Sequence, residues 1–515
     1  MAMDRGAGAA EPPGELRPRD AVRTGLGQRC PYLRAALGRI ANGGHPRRLV
    51  LDPPRGLVTG AYNLDMGAVD TLQGDIEAMG RQIAAAYPPA IRHPVRALDE
   101  KGMDVAVADA ELRTALFRFV DVTPACRSLD DLSAHLVAFL DEVDDRPPPV
   151  AAALRMAHTR AGRMALGAAA TAGVRRIAHR FIAGADPKAA LGELGRLWRR
   201  GVATSVDLLG EATVTAAEAD RYAERCADAL GTLAGAAAGW PPRPRLERDS
   251  AGPLPRANLS VKVSALTPLL RPTAPERGQE DAAGRLRPLL RRARDLGAHL
   301  HVDMESFDSR DPVLQLVLEL LGEDEFRAGP SAGLVLQAYL RDSPETAEAV
   351  LAWVQDGPGA ARAHPLTVRL VKGAYWDHEV LEARQHGWPV PVFQEKADCD
   401  RNFEALTRRL LDARPAVRVA VASHNLRSIA HAVAYNRSVG GRDDDLELQV
   451  LRGLGDPLQD ALAALDLRVR TYCPVGDLVA GMAYLVRRLL ENTANESFLA
   501  KQQSGAALDE LLAAP

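Results

Sequence analysis

The sequence predicts a (β/α)8 barrel, an α/β fold of the TIM type, preceded by a helical region. From residue 204 onward, short apolar segments alternate with amphipathic helical patterns, and eight such units fill about 290 residues, the usual size of this barrel. No G-x-G-x-x-G motif follows any apolar segment; the nearest approach, Gly453–Gly455, lacks the third glycine. A doubly wound nucleotide-binding sheet is therefore the less favoured alternative.

The predicted strands are short apolar runs bounded by polar or turn-forming residues. In chain order they are Thr204–Leu209, Leu259–Ser264, Leu300–Met304, Gly333–Tyr339, Leu366–Val371, Val417–Ser423, Leu446–Leu451 and Val469–Cys473. The helical patterns between them include Ala216–Leu230, Ala282–Leu296, Asp311–Leu320, Pro344–Trp353 and Arg401–Asp412.

Composition divides the chain into four parts. Residues 1–28 are rich in glycine, alanine, proline and charge, and we expect them to be disordered. Residues 29–182 follow a helical pattern, for example at Asp104–Phe119 and Leu129–Val143, and form an accessory region. The barrel is expected over residues 183–500, and residues 501–515 form a tail.

Charge and cysteine content exclude several classes of protein. The net charge of −3 gives no overall basic field for nucleic acid, so we expect no nucleic-acid partner. The five cysteines are odd in number and form no C-x-x-C pair, which argues against a disulfide framework or a zinc knot and for the cytoplasm. The N-terminus lacks the apolar segment of a signal peptide, and no apolar run is long enough to span a membrane; peripheral contact with the inner face of the membrane stays open.

Polar residues recur at the carboxyl ends of the predicted strands, where a barrel enzyme places its site. One such residue would be explained as an ordinary strand cap, but the repetition favours an active site. The residues are Lys262, Asp303, Glu305, Gln337, Arg369, Ser423, His424, Asn425, Gln449 and Tyr472.

The segment Leu366–Asp377 carries the densest signal. A strand ends there at Gly373, where the backbone can turn sharply or approach a ligand closely. Arg369 and Lys372 supply two cations, and Tyr375 and Trp376 are adjacent aromatic residues in a chain with few of them. The segment therefore predicts the edge of a site for an anionic, aromatic cofactor.

Single residues allow other chemistry. Lys262 and Asp303 end neighbouring strands and could form an ion pair. Lys262 or Lys372 could instead be a Schiff-base lysine, as in barrel aldolases. His424 has no second histidine or cysteine at ligand spacing, so we predict no metal site.

The last long helix, Asp477–Asn492, has an apolar stripe and a polar face. Arg487, Arg488 and Glu491 lie on the polar face. An arginine and a glutamate at this spacing usually form a weak surface pair. Beside a barrel mouth, two successive arginines also suit bidentate binding of a carboxylate, with Glu491 orienting them.

Together these residues resemble the proline dehydrogenase domain of the proline utilization A flavoenzymes. The resemblance covers the chain from about Ala183 to its end, and a weaker match at Phe117–Pro124 extends it into the helical region. The motifs that carry it are VKVSAL, VDMES, LQAY, RLVKGAYWD, SHN, YCPVG and YLVRRLLEN.

The resemblance implies a distorted (β/α)8 barrel that binds FAD without a covalent bond. The family oxidises L-proline to Δ1-pyrroline-5-carboxylate by hydride transfer to flavin N5 and passes the electrons to a membrane quinone. This is the first step of proline catabolism to glutamate, and a Δ1-pyrroline-5-carboxylate dehydrogenase, separate or fused, would take the product. Self-association through the helical region stays open.

The resemblance also implies roles for individual residues. Lys262, Asp303 and Arg369 are the implied catalytic residues. The proline site would comprise Lys262, Tyr375, Leu451, Tyr472, Arg487, Arg488 and Glu491. The FAD contacts would come from Met304, Gln337, Arg369, Val371, Lys372, Gly373, Ala374, Trp376, Ser423 and His424.

Other classes remain as alternatives. Another flavin barrel, such as a methylenetetrahydrofolate reductase, would not need the Arg-Arg-x-x-Glu helix. A Schiff-base aldolase would be colourless, and a noncatalytic degenerate barrel would have lost some of these motifs. Residues 1–44 lack a strand followed by two helices, so we expect no DNA-binding module of the kind that some larger members carry.

Overall fold

The computed structural model describes residues 66–88, 110–144, 146–477, 481 and 507–515. Within these ranges a closed barrel of eight parallel strands is surrounded by helices, with a helical region before it. The predicted fold is confirmed. The predicted disordered segment, residues 1–28, lies outside the described residues.

The barrel strands follow one another around the barrel in chain order, and a two-stranded antiparallel hairpin (β2, β3) precedes the second of them. The strands are β1 Val202–Leu208, β2 Arg248–Asp249, β3 Gly252–Pro253, β4 Asn258–Lys262, β5 His299–Asp303, β6 Ser331–Gln337, β7 Leu366–Val371, β8 Val417–Ala422, β9 Leu446–Leu451 and β10 Val469–Val475. The prediction of a strand over Leu259–Ser264 is too long by two residues, because Val263–Leu266 turns into a short helix. The hairpin was not predicted, since two-residue strands carry too little pattern.

The helices begin at recognisable caps. At the helix that starts with Ala216, Thr215 and Glu218 form a capping box, and Asp186 caps the helix that starts at Pro187. The helices are α1 Met66–Ala85, α2 Ala110–Val122, α3 Leu129–Asp141, α4 Pro148–Met156, α5 Arg160–Phe181, α6 Pro187–Arg199, α7 Ala216–Ala238, α8 Pro244–Glu247, α9 Val263–Leu266, α10 Pro275–Asp295, α11 Phe307–Gly322, α12 Ser343–Gln355, α13 Trp376–His386, α14 Lys396–Asp412, α15 Leu426–Ser438, α16 Asp456–Ala464 and α17 Leu508–Leu512. No helix within the described ranges is long and apolar enough to cross a bilayer.

The helical region packs directly on the barrel. Helices α2 to α5 share an apolar core with Leu209, which follows β1, and Leu454, which follows β9. Phe181 at the end of α5 is fully buried in this core. Helix α1 lies against α15, where Arg427 donates hydrogen bonds to Gln73 (3.0 Å) and to the carbonyl of Leu512 (2.7 Å). The chain segments before and after the barrel are therefore joined to its outer face.

The amino-terminal half of the barrel interior is polar and charged. Arg470 and Glu447 form a buried bidentate pair (2.8 and 2.9 Å), and Arg418 pairs with Asp249 at 2.9 Å. Burial lowers the pKa of His299 to about 3, so its imidazole is neutral among these arginines. Buried charge is tolerated here because each charged group has a partner.

His431 on α15 is a buried histidine that we expect to set acid stability. Its Nε2 accepts a hydrogen bond from Arg408 (2.9 Å), and burial lowers its pKa to about 3. A histidine that binds its proton only in the unfolded state stabilises that state as pH falls from about 6.5 toward 3. The native state should therefore lose about 1.4 kcal/mol per pH unit in that window from this group.

His431→Gln keeps an acceptor but cannot titrate, so its free energy of unfolding in urea should fall less steeply between pH 6 and pH 4 than that of the wild type. His386→Gln is the control, because the His386 side chain is 49% exposed. Equal slopes in the wild type and His431→Gln would contradict this assignment.

Candidate active site

Five charged or hydroxyl-bearing side chains meet at the carboxyl ends of the barrel strands. Asp207 comes from β1, Lys262 from β4, Asp303 from β5, Arg369 from β7 and Tyr472 from β10. Lys262 and Asp303 are register partners and the last residues of β4 and β5. Asp207 is next to last in β1, and Arg369 and Tyr472 lie two and three residues before the ends of β7 and β10. We call these five residues the mouth cluster. The structure thus brings together four residues predicted from the sequence and adds Asp207.

Asp303 is the centre of the mouth cluster because both of its oxygens accept hydrogen bonds. Nη1 of Arg369 donates to Oδ1 at 2.5 Å, and the hydroxyl of Tyr472 donates to Oδ2 at 2.6 Å. The guanidinium of Arg369 also lies over the Tyr472 ring, 5.3 Å from its centroid, and donates to Ser260 at 3.2 Å. These contacts fix the orientation of the arginine and the tyrosine.

The position of Lys262 on the strand next to Asp303 suggested an ion pair between these two residues, but Lys262 bonds to a different carboxylate. Its Nζ donates to Oδ1 of Asp207 at 2.6 Å, and both side chains are buried. Strand β4 lies between β1 and β5, so Lys262 has a carboxylate on each side, and Arg369 and Tyr472 already occupy the oxygens of Asp303. Sequence reasoning missed Asp207. The feature that could have identified it is an acidic residue at the next-to-last position of an otherwise apolar strand.

Charges in the mouth cluster keep Lys262 and Tyr472 protonated. Burial alone would lower the pKa of Lys262, but the carboxylates of Asp207, Glu211 and Asp303 outweigh it and hold the pKa above its ordinary value. Burial and the carboxylates of Asp207 and Asp303 raise the pKa of Tyr472. A Schiff-base lysine needs a lowered pKa, so the electrostatics disfavour that role for Lys262.

Beside the mouth cluster, the carboxyl ends of β5 to β8 form one stretch of the barrel rim. Met304 and Gln337 are buried there, and Gln337 Nε2 donates to the carbonyl of Glu305 at 2.8 Å. Oε1 of Gln337 and Nε of Arg369 are buried and have no hydrogen-bond partner among the described residues. Gln337 and Arg369 lie on the neighbouring strands β6 and β7, and buried donors and acceptors without partners are typical of a polar ligand site.

The segment after β7 forms a partly exposed edge of this stretch of the barrel rim. Val371 and Lys372 are half-buried, and Lys372 pairs with Asp400. Burial lowers the pKa of Lys372, with Asp400 opposing that effect. Gly373 has φ +140°, and a Cβ there would overlap the Tyr339 ring, so the turn requires glycine. The remaining rim residues are Ala374, Tyr375 and Trp376, whose indole N–H donates to the carbonyl of Phe393 at 2.9 Å.

Ser423 and His424 follow β8 directly. Ser423 Oγ accepts the backbone N–H of Asn425 at 3.1 Å, and Nε2 of His424 accepts the backbone N–H of Leu451 at 2.9 Å. His424 therefore fixes the end of β9 and is not placed as a metal ligand through this nitrogen. Leu451 is the register partner of Tyr472, so a leucine borders the mouth cluster on that side. Arg487, Arg488 and Glu491 lie outside the described residues.

Removal of the Asp207 carboxylate is expected to destabilise the protein. Asp207→Asn would leave the buried ammonium of Lys262 without its carboxylate partner, and such a loss costs about 3–5 kcal/mol. Urea unfolding of the wild type and the variant at pH 7 would measure the difference. Asp398→Asn is the matched control, because it breaks an exposed pair with Arg401 and should cost less than about 1 kcal/mol. Equal losses in the two variants would show that Asp207 does not compensate a buried charge.

Comparison with known proteins gives consistent matches. The family model described as proline dehydrogenase matches residues 190–501, and the model of the proline utilization A N-terminal domain matches residues 73–181. The Bifunctional protein PutA of Salmonella typhimurium is 32% identical over 353 residues, which cover 66% of this chain and 25% of that protein. The chain therefore matches about a quarter of the length of this relative.

Two further matches add detail. A Proline dehydrogenase of Deinococcus radiodurans is 30% identical over 324 residues, which cover 63% of this chain and 88% of that protein. The crystal structure of proline utilization A from Bdellovibrio bacteriovorus, inactivated by N-propargylglycine, has a TM-score of 0.76 and 34% identity over 86% of this chain and 44% of that one. The family model covers more than half of the chain and includes all five residues of the mouth cluster, and the chain accordingly belongs to the proline dehydrogenase family.

Proposed function

We propose that the protein is an FAD-dependent proline dehydrogenase that oxidises L-proline to Δ1-pyrroline-5-carboxylate. The observation that carries the proposal is the mouth cluster, in a chain of this family. The cluster offers fixed polar groups to a small polar substrate, and the unpartnered atoms of Gln337 and Arg369 offer partners for a second, larger ligand. The relatives named proline dehydrogenase support proline as the substrate.

The donor set at the ends of β5 to β8 fits FAD. A flavin ring carries both N–H donors and carbonyl acceptors, which suit the unpartnered Oε1 of Gln337 and Nε of Arg369. Arg369, Lys372 and the exposed backbone at Gly373 suit an anionic cofactor. Met304, Val371, Ala374, Trp376, Ser423 and His424 would complete the contacts. When bound, FAD would supply the acceptor for the hydride that leaves the proline ring carbon next to nitrogen.

The proline ring would lie against Leu451 and Tyr375, with Tyr472 at its edge. Arg487 and Arg488 would bind its carboxylate, with Glu491 orienting them. The amine must be unprotonated, because its lone pair becomes part of the new carbon–nitrogen double bond. Loss of one hydride and one proton balances the conversion of proline to the imine. Both oxygens of Asp303 already accept hydrogen bonds, so we assign it to holding Arg369 and Tyr472 in place.

The electrons would pass to a quinone, and the imine would hydrolyse to an aldehyde that a Δ1-pyrroline-5-carboxylate dehydrogenase oxidises. The relatives named bifunctional PutA support that partnership. The proposal includes two further arrangements. Contact with the inner face of a membrane would bring the quinone to the enzyme, and self-association would bring a second chain to it.

An anaerobic titration tests the proposal directly. L-Proline added to the yellow protein should bleach the flavin absorbance, and a soluble quinone analogue should restore it. D-Proline is the control, because its carboxylate and ring cannot both occupy the positions that those of L-proline would take. A yellow protein that L-proline leaves unbleached would reject the substrate, and a colourless protein that FAD cannot reconstitute would reject the flavin.

Tyr472→Phe is expected to lower kcat/KM for L-proline by about tenfold to a hundredfold while FAD stays bound. The variant removes the hydroxyl that donates to Asp303, which leaves one buried carboxylate oxygen without its hydrogen bond. Tyr435→Phe is the matched control, because the Tyr435 hydroxyl donates to Asp412 on the exposed outer face. An unchanged kcat/KM in Tyr472→Phe would remove this tyrosine from the site.

A further inference from the structure

A group of three possible metal ligands lies in the helical region, away from the mouth cluster. Cys126 lies just before α3, and Asp131 and His135 lie one turn apart on α3. Sγ of Cys126 is 3.9 Å from Nδ1 of His135, and Oδ1 of Asp131 is 3.4 Å from the same nitrogen. One ligand atom from each residue lies within 4.8 Å of the others.

We propose that Cys126, Asp131 and His135 form a binding site for a divalent transition metal of the zinc type. Tetrahedral zinc with bonds of about 2.3 Å to sulfur and about 2.0–2.1 Å to nitrogen or oxygen needs ligand atoms roughly 3.3–3.6 Å apart. The 3.4 Å separation lies within this range and the 3.9 Å separation exceeds it by a few tenths of an ångström. The separation of the Cys126 and Asp131 ligand atoms is below 4.8 Å, and a change of side-chain torsion can bring them together. The thiolate, imidazole and carboxylate set selects zinc or cobalt over magnesium or calcium.

Local structure holds the ligands near these positions. The Ser128 side chain caps α3 by accepting the amide N–H of Asp131 at 3.1 Å. The amide N–H of Arg127 donates to Oδ2 of Asp131 at 3.0 Å, which leaves Oδ1 toward His135. The side chains of Asp131 and His135 are each about two-fifths exposed, so a metal ion can reach the site and a water can complete the coordination.

Binding has a definite local cost. The Cys126 thiol donates weakly to the carbonyl of Val122 at 3.6 Å, and Nδ1 of His135 contacts the carbonyl of Asp131 at 2.9 Å. The metal replaces both contacts and displaces the thiol proton to solvent, and it takes Nδ1 of His135 in the neutral tautomer that carries its proton on Nε2. In return, it joins the turn after α2 to the first turns of α3 and so stabilises the helical region that packs on the barrel.

Cobalt reports the thiolate ligand directly. The full chain, freed of metal with a chelator, is titrated with Co2+ and recorded as a difference spectrum against the same protein without cobalt, so that any flavin absorbance cancels. We expect a thiolate-to-cobalt charge-transfer band that saturates at one ion per chain and disappears when Zn2+ is added. Zinc should also raise the midpoint of thermal unfolding. Both readouts are independent of enzyme activity.

Variants separate this site from other cysteines. Cys126→Ser should abolish the band, and His135→Ala should weaken binding about tenfold or more. Cys399→Ser is the control, because Cys399 packs against a separate apolar cluster on the barrel and should keep the band. Absence of the band in the wild type, or its persistence in Cys126→Ser, would overturn the proposal.

Discussion

The candidate site depends on the closure of the barrel between its first and last strands. β1 and β10 pair over seven residues, from Val202 opposite Val469 to Leu208 opposite Val475. The end of β1 and the start of β10 are separated by 261 positions in the sequence. This pairing, together with that of β1 and β4, brings Asp207 to Lys262 and Tyr472 to Asp303. Without the pairing of β1 and β10, Tyr472 would lie at the far edge of an open sheet from Asp207 and Lys262, and Asp303 would lose the hydrogen bond from the Tyr472 hydroxyl.

The mouth cluster serves geometry more than stability. Taking carboxylates and cations out of water costs several kcal/mol per ion, and their attraction inside the protein only offsets that cost. The gain is a fixed arrangement: Asp303 holds Arg369 and Tyr472, and Asp207 holds Lys262. Groups fixed before substrate arrives need no reorganisation during reaction, which is how a polar site favours a transition state.

The sequence predicted the secondary-structure elements well and the pairing of their side chains poorly. All eight barrel strands were predicted because buried parallel strands are continuous apolar runs, and their ends located Lys262, Asp303, Arg369 and Tyr472. The predicted partner of Lys262, Asp303, was wrong. Carboxylates on both neighbouring strands can pair with this lysine, and the sequence does not show that other side chains already donate to Asp303. Asp207 looked like an ordinary strand end, and the Cys-x4-Asp-x3-His spacing does not match the common zinc patterns.

The accessory helices are part of the site's support rather than an independent appendage. Nε of Arg180, near the end of α5, donates to the carbonyl of Gly453 at 2.9 Å, and a Cβ at Gly453, where φ is +84°, would press on Phe181. Gly453 is two residues after Leu451, the leucine beside Tyr472. The end of β9 is thus held from outside by α5 and from the neighbouring strand end by His424. Because close-packed neighbours leave little room to relax, a change at the end of α5 bears directly on the strand end that carries Leu451, the leucine beside Tyr472.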